Sequence, residues 1–264
     1  MIKAVATDID GTFLTFDRRY DHQLFARLMD YFKQHNLRFI VASGDQYYFL
    51  HDLFEPYSSQ LGFVAENGAL TVDRDQVMHC AKLQEADVAA IQHYVDQLPN
   101  CQYVICGRKQ AYVPARFSRE YWNIVHQFYT KLARINDISD IHDTIFKFAL
   151  GVPAEQTKAI AKAIDQRFKG VVRSTVSGNG AIDLIVPGMD KSYGLKILLQ
   201  KYGLQPAQLA VFGDGENDLE MFKLAGTSYA MGNAADVVKK AATHVIGTNE
   251  EQGVLHQLAK MFLH

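Results

Sequence analysis

The stretch Ile2-Lys3-Ala4-Val5-Ala6-Thr7-Asp8-Ile9-Asp10-Gly11-Thr12 decides the fold. Ile2–Thr7 is a short apolar run that ends at two aspartates, and such a run bounded by a turn signal reads as a buried strand. Gly11 lets the chain turn sharply away. In open parallel α/β sheets, ligands bind outside the carboxyl ends of the strands. Two carboxylates placed there at i and i+2 can share one cation while doing different work. Taken singly, the segment reads equally well as a solvated turn with an Asx cap, so its neighbours must decide.

Reading outward, Asp21 is placed to cap a helix with Leu24, Leu28, Tyr31 and Phe32 on one face and Asn36 at its end. Leu37–Ala42 is a second β-rich run, ending in Ser43-Gly44. A helical stretch to about Phe54 precedes a strand over Gly62–Ala65. This βαβαβ order predicts a parallel sheet with helices on both faces.

The pattern changes after about Lys82. Val88, Ile91, Val95 and Leu98 mark an amphipathic helix, followed by strands over Gln102–Cys106 and Gln110–Pro114 and an aromatic helix over Phe117–Leu132. Phe146, Phe148 and Leu150 alternate along a strand, and Ile160 and Ile164 mark another helix. Val171–Val176 and Ala181–Val186 read as a hairpin around Ser177-Gly178-Asn179-Gly180. Parallel alternation resumes with a helix over Ser192–Tyr202, a strand over Leu209–Phe212, a helix over Leu219–Leu224, a strand over Ser228–Met231, a helix over Ala234–Ala241 and a strand over His244–Ile246. The expected architecture is α/β, with a Rossmann-like parallel core over 1–82 and 187–264. An α+β insertion spans 83–186.

Composition narrows the function. The 264 residues are 48% hydrophobic and 21% charged, which is globular. Twenty-seven Lys and Arg against 29 Asp and Glu leave a net charge of −2, so no bulk basic charge points to nucleic acid or an anionic membrane. No apolar run approaches the ~20 residues of a membrane span, and no signal peptide is visible at Met1. Three cysteines without a CxxC pair fit a reducing cytoplasm better than a disulfide framework.

Further segments at strand ends or helix starts carry chemistry. Val211-Phe212-Gly213-Asp214-Gly215-Glu216-Asn217-Asp218 sets polar groups and two glycines after a buried strand. Carboxylates converging there with Asp8 and Asp10 would repel unless a cation or proton sat between them. Oxygen donors without a His or Cys cluster favour Mg²⁺ over Zn²⁺. Ser43-Gly44 offers a hydroxyl and a bare N–H, a small anion-binding corner. Lys191 stands at a helix start, where positive charge is unfavourable. An anion held between it and the helix amides would explain the placement; solvation is the ordinary reading of a single lysine.

In this order the segments resemble the haloacid dehalogenase superfamily, on Asp8-x-Asp10-Gly11-Thr12, Ser43, Lys191 and Gly213–Asp218. An insertion between the second and third is similar to Cof-type members with a large α+β cap, as is Glu66-Asn67-Gly68-Ala69. Val41–Tyr48 looks closest to bacterial sugar phosphatases. The Gly232-Asn233-Ala234-Ala235 segment resembles a helix start in the family. The resemblance implies Mg²⁺-dependent hydrolysis of small phosphate monoesters, with Asp8 as nucleophile and Asp10 as acid and base. It implies metal ligation by Asp8, the Asp10 carbonyl and Asp214, with Asp218 supporting. It also implies that Ser43, Lys191, Asn217 and the N–H groups near Ile9 and Gly44 hold the phosphoryl oxygens. The cap would act as a lid and choose the substrate, with Asp45, Asn67, Asn179 and Asp183 as candidate contacts; for Asn179 and Asp183 a turn and an exposed strand position are the plainer readings. Many relatives carry Arg where Asp45 stands. Asp45 suits sugar hydroxyls, solvent or a helix cap, and capping is favoured.

The expected partner is thus a small phosphate ester, not nucleic acid or membrane, with the chain a monomer or weak homo-oligomer. Two other functions compete. A sugar phosphomutase would need a second phosphate site in the cap, where Arg108, Lys109, Arg116 and Arg119 form the dense basic patch. A receiver-like, phosphate-binding module would turn over poorly, and Asp10 argues against it.

Overall fold

The computed structural model describes residues 1–176 and 180–263. Asn179, at the expected hairpin tip, lies outside them. In chain order the elements are β1 (Ala4–Thr7), α1 (His22–Gln34), β2 (Arg38–Ala42), α2 (Tyr47–Leu53), β3 (Gly62–Ala65), β4 (Leu70–Asp73), β5 (Gln76–Cys80), α3 (Glu85–Val95), β6 (Gln102–Gly107), β7 (Ala111–Pro114), α4 (Arg119–Val125), β8 (Leu132–Ile135), β9 (Ile145–Gly151), α5 (Thr157–Arg167), β10 (Arg173–Val176), β11 (Ala181–Ile185), α6 (Lys191–Tyr202), β12 (Leu209–Gly213), α7 (Leu219–Leu224), β13 (Thr227–Ala230), α8 (Asp236–Ala241), β14 (His244–Val245) and α9 (Gly253–Phe262). They fall into two units, Met1–His79 with Asp190–His264, and Cys80–Met189. The boundaries expected after 82 and 186 fall just inside the second unit.

The first unit is an α/β layer structure with sheet order β14-β13-β12-β1-β2-β3-β4-β5. The strands from β14 to β3 run parallel, and β4 returns antiparallel to β3. Ala4, Ala6, Ile40, Val64, Leu209 and Val211 alternate onto one face, against Leu195 and Leu198 of α6 and Met221 of α7. The other face holds an aromatic cluster in which Phe13 meets Tyr20, Phe25, Phe39 and Phe54 at 5.1–6.0 Å between ring centroids. Fully burying one such side chain contributes about 1.5–3 kcal/mol, so Phe13 anchors the turn that follows β1. Asp21 starts α1 by accepting from Leu24 N at 2.9 Å.

The second unit is an α+β layer with sheet order β10-β11-β9-β6-β7-β8. Its pairings are antiparallel except β7–β8. Ile91 and Val95 of α3 and Ile160 and Ile164 of α5 cover one face. The aromatic helix expected to Leu132 stops at Val125, because residues 132–135 pair with β7, a long-range partner that local periodicity does not register. Among the described residues no helix is long and apolar enough to cross a membrane.

Candidate active site

Sheet order brings the singled-out segments together. Thr7 lies in register with Val41 of β2 and Phe212 of β12, so Asp8, Ser43 and Asp214 all leave the same end of the first unit's sheet. Asp8 N donates to Phe212 O at 3.0 Å, continuing the ladder past the strand. The chain then turns through Ile9–Phe13, with Gly11 at φ +72°. A Cβ on Gly11 would lie 2.5 Å from Asp214 Oδ2, so this position combines a left-handed backbone with contact against a carboxylate. Thr12 Oγ1 donates to Asp214 Oδ1 at 2.5 Å. The β1 turn therefore orients Asp214.

Lys191 completes the cluster. Asp190 caps α6 by accepting from Tyr193 N at 2.9 Å. Gly194, one turn later, lets α6 approach the sheet so closely that a Cβ there would lie 2.5 Å from Val64 Cγ1. Lys191 is thereby buried, with Nζ 2.7 Å from Asp8 Oδ1 and 2.6 Å from Asp218 Oδ1. The anion that offsets a lysine at a helix start is the protein's own pair of carboxylates. Asp218 Oδ2 also accepts from Asp214 N and Gly215 N, both at 2.9 Å. Asp218 occupies the N-cap of α7, yet makes no side-chain cap bond. Its carboxylate is spent on the cluster.

The electrostatics follow from burial. Desolvation, reinforced by Asp218, pushes Asp8 well above the usual aspartate range against the pull of Lys191. Burial also raises Asp214, although the Thr12 hydroxyl works the other way. Burial would lower Lys191, but Asp218 and Asp8 together hold it above its ordinary value.

The remaining predicted residues divide. Ser43 is buried, and its Oγ accepts from Asp45 N at 3.1 Å. Gly44 lies against the Asn67 side chain, whose Nδ2 would be 3.1 Å from a Cβ there. Asn67 is buried at φ +54°, and its N–H donates to Ser43 O at 3.0 Å, so the turns after β2 and β3 form one unit. Asp45 does not cap α2; the N-cap is Gln46, and the Asp45 carbonyl accepts from Glu66 N. The Asp10 side chain is 59% exposed, with Oδ1 3.8 Å from Arg18 Nη2. Asn217 is exposed on the short helical turn before α7. In the second unit, Asp183 is not an exposed strand position: it is half-buried, 3.7 Å from the Nζ of the buried Lys147.

Comparison with known proteins agrees with this layout. The sequence profile of the haloacid dehalogenase-like hydrolases matches residues 5–258. The chain belongs to that family. An Escherichia coli K12 protein named 5-amino-6-(5-phospho-D-ribitylamino)uracil phosphatase is 34% identical over 263 residues, covering 100% of this chain and 97% of that protein. A crystal structure from Streptococcus mutans UA159 superimposes with a TM-score of 0.91 at 35% identity, over 99% of both chains. A Thermotoga maritima structure shares the fold, with a TM-score of 0.84 at 24% identity over 98% of this chain and 97% of that one.

Haloacid dehalogenase-like hydrolases imply a divalent metal, and the donors in this one fit it. Asp8, Asp214 and Asp218 each offer a carboxylate oxygen within 4.8 Å of the others. The set is all hard oxygen, as Mg²⁺ prefers. Three carboxylates face one ammonium, so the cluster carries an excess of negative charge that also raises Asp8 and Asp214. Two residues at or near the first motif have contacts that the sequence does not announce. Thr12 grips Asp214, and Arg18 stands beside Asp10 with its guanidinium 4.7 Å above the Phe49 ring. Thr12 is part of the first motif, but only its bond to Asp214 shows what the hydroxyl does; Arg18 has no signal beyond proximity to that motif. Two residues of the basic patch that a mutase would need are engaged within the protein. Arg116 is paired with Asp96 and Tyr103, and Lys109 donates to His142 O at 2.9 Å.

Proposed function

We propose that this hydrolase is a Mg²⁺-dependent phosphatase of small monoesters, sugar and polyol phosphates foremost, acting through an aspartyl-phosphate on Asp8. The observation that carries the reading is the buried Lys191 bridging Asp8 and Asp218, beside an oriented Asp214. It holds one Asp8 oxygen while the other stays available as a nucleophile.

An Asp8 carboxylate oxygen attacks phosphorus, and the ester P–O bond breaks. Asp10 gives its proton to the departing alkoxide, a poor leaving group without one. Water then attacks phosphorus, Asp10 takes its proton, and the acyl–phosphate P–O bond breaks to release inorganic phosphate. Lys191, Ser43, Asn217 and the N–H groups of Ile9 and Gly44 hold the phosphoryl oxygens. Asp8, the Asp10 carbonyl and Asp214 would hold the metal, with Asp218 fixing the loop that carries Asp214. When bound, Mg²⁺ supplies charge neutralisation for an anionic nucleophile meeting an anionic substrate. The exposed Asp10 suits a group that must exchange protons with both alkoxide and water. The E. coli relative's name specifies a phosphate on a ribityl chain, a polyol ester of the proposed class.

The test is phosphate release from a panel of monoesters, with Mg²⁺ and with EDTA. Mg²⁺-dependent release that Asp8→Asn abolishes supports the reading, and no release from any ester defeats it. Asp10→Asn should lower kcat by about 10²–10⁴ for alkyl esters. The loss should shrink for an aryl ester, whose leaving group needs no proton.

A further inference from the structure

Two asparagines outside the predicted site hold the catalytic turn from behind. Asn233 Nδ2, in the loop after β13, donates to Gly11 O at 2.8 Å. Asn249 Nδ2, in the loop after β14, donates to Leu14 O at 2.9 Å. The two are themselves joined, Asn249 N donating to Asn233 Oδ1 at 3.1 Å. Asn233 is exposed and Asn249 is buried, so the inner asparagine fixes the outer one.

The carbonyls they engage flank the segment that touches Asp214. Gly11 abuts the Asp214 carboxylate, and Thr12 donates to it. Within the Ile9–Phe13 turn the backbone leaves helical geometry at Asp10 and Gly11, and Leu14 N donates to Ile9 O at 3.0 Å where the turn ends. The carbonyls of Gly11 and Leu14, at an irregular stretch of backbone, find their partners outside the turn, so its position depends on those partners. Phe13 anchors it on the aromatic face, and the asparagine pair anchors its carbonyls. A shift of this turn moves Thr12 and with it the Asp214 oxygen that a cation would meet.

We propose that Asn249, acting through Asn233, is a positioning residue for the metal-binding acidic cluster. The proposal rests on the phosphatase reading only for its kinetic consequence; the metal-binding consequence stands apart from it. Outer partners of metal ligands typically affect affinity by about 10–100-fold.

The experiment measures Mg²⁺ binding calorimetrically on wild type, Asn249→Ala, Asn233→Ala, Thr12→Val and the Asn249→Ala/Thr12→Val double variant, with kcat, KM and Tm alongside. Asn249→Ala is expected to weaken Mg²⁺ binding about 10-fold and to lower kcat at saturating Mg²⁺, with KM within about 2-fold. If the asparagines act through Thr12, the loss from Asn249→Ala shrinks in the Thr12→Val background, a non-additivity that general destabilisation does not produce. Should Asn249→Ala fail to fold, the exposed Asn233→Ala carries the same expectation. Mg²⁺ affinity and kcat unchanged in either folded variant, whatever happens to Tm, would overturn the proposal. A wild type that binds Mg²⁺ but hydrolyses no ester overturns the phosphatase reading while the Mg²⁺ comparison still decides the asparagines. A wild type that binds no Mg²⁺ overturns both.

Discussion

Asp8 is charged at a loss. Its carboxylate is buried beside Asp218 and Asp214, and one ammonium serves both Asp8 and Asp218. An acid whose folded pKa lies above its unfolded value near 3.9 destabilises the fold as pH rises. The loss is absent below the unfolded value and grows as pH climbs through the raised one. Asp8→Asn removes the loss and leaves the Lys191–Asp218 pair intact. The metal-free variant should therefore melt a few degrees higher than wild type at pH 7–8, with the difference closing near pH 4. Thermal melts of both proteins in EDTA across that range check this. A wild type more stable than Asp8→Asn at pH 8 would mean that Lys191 more than offsets the burial of Asp8. Stability stored against function in this way is common where binding of a ligand later relieves it. The same reasoning makes Gly11→Ala a severe change. It strains a left-handed backbone and drives a methyl into Asp214, so phosphate release should fall far more than thermal stability.

At the scale of elements, α6 is where packing becomes chemistry. Gly194→Ala gains about 1 kcal/mol of helix propensity. Against that, the new methyl meets Val64 Cγ1 at 2.5 Å and Thr71 Oγ1 at 2.8 Å, and overpacking of a filled core costs typically 1–3 kcal/mol. The net loss is up to about 2 kcal/mol, so we expect a fall in Tm of up to about 8 °C, at about 2–4 °C per kcal/mol for a domain of 150–250 residues. A fall in kcat should accompany it, because Lys191 moves with its helix. A rise in Tm would show that the sheet yields and propensity wins. How legible each element was in the sequence follows the same local-versus-distant division. The β3 span Gly62–Ala65, the α7 span Leu219–Leu224 and the Asp21 cap were readable because each is set by neighbouring residues. β8 and α9 were not, since each depends on a partner farther along the chain: β7 for β8, and Phe32 of α1 for Phe262 of α9. In the site, Asp8, Asp214, Asp218 and Lys191 were legible because strand ends and a misplaced cation announce them. Asn249 was not, because an asparagine in a loop looks the same whether it binds solvent or the turn after β1. Asp45 stands one residue short of the cap position, because α2 begins one residue later than the polarity of Asp45 suggests.

For the whole molecule, a net charge of −2 conceals how unevenly charge is spent. Three carboxylates are gathered at one sheet end in a unit assembled from both ends of the chain, Met1–His79 and Asp190–His264. Asp8 comes from the first segment; Lys191, Asp214 and Asp218 come from the second. A cation held by Asp8 and Asp214 would tie the two segments together, because its donors come from both. Binding to the folded state alone stabilises by about 2.7 kcal/mol when the ligand is at 100 times its Kd. That corresponds to a rise in Tm of roughly 5–10 °C at the same 2–4 °C per kcal/mol. Because Asp8 and Asp214 are raised by burial, they must give up protons as the cation enters, so the rise should be larger at pH 8 than at pH 5. Asp214→Asn should lose most of it at both values, since the variant keeps the fold but removes a donor that Thr12 holds in place. Calorimetric scans of wild type and variant, with Mg²⁺ and with EDTA, decide the matter. An equal rise in Asp214→Asn would place the cation elsewhere. A rise independent of pH would mean that Asp8 and Asp214 are already ionised before the cation arrives.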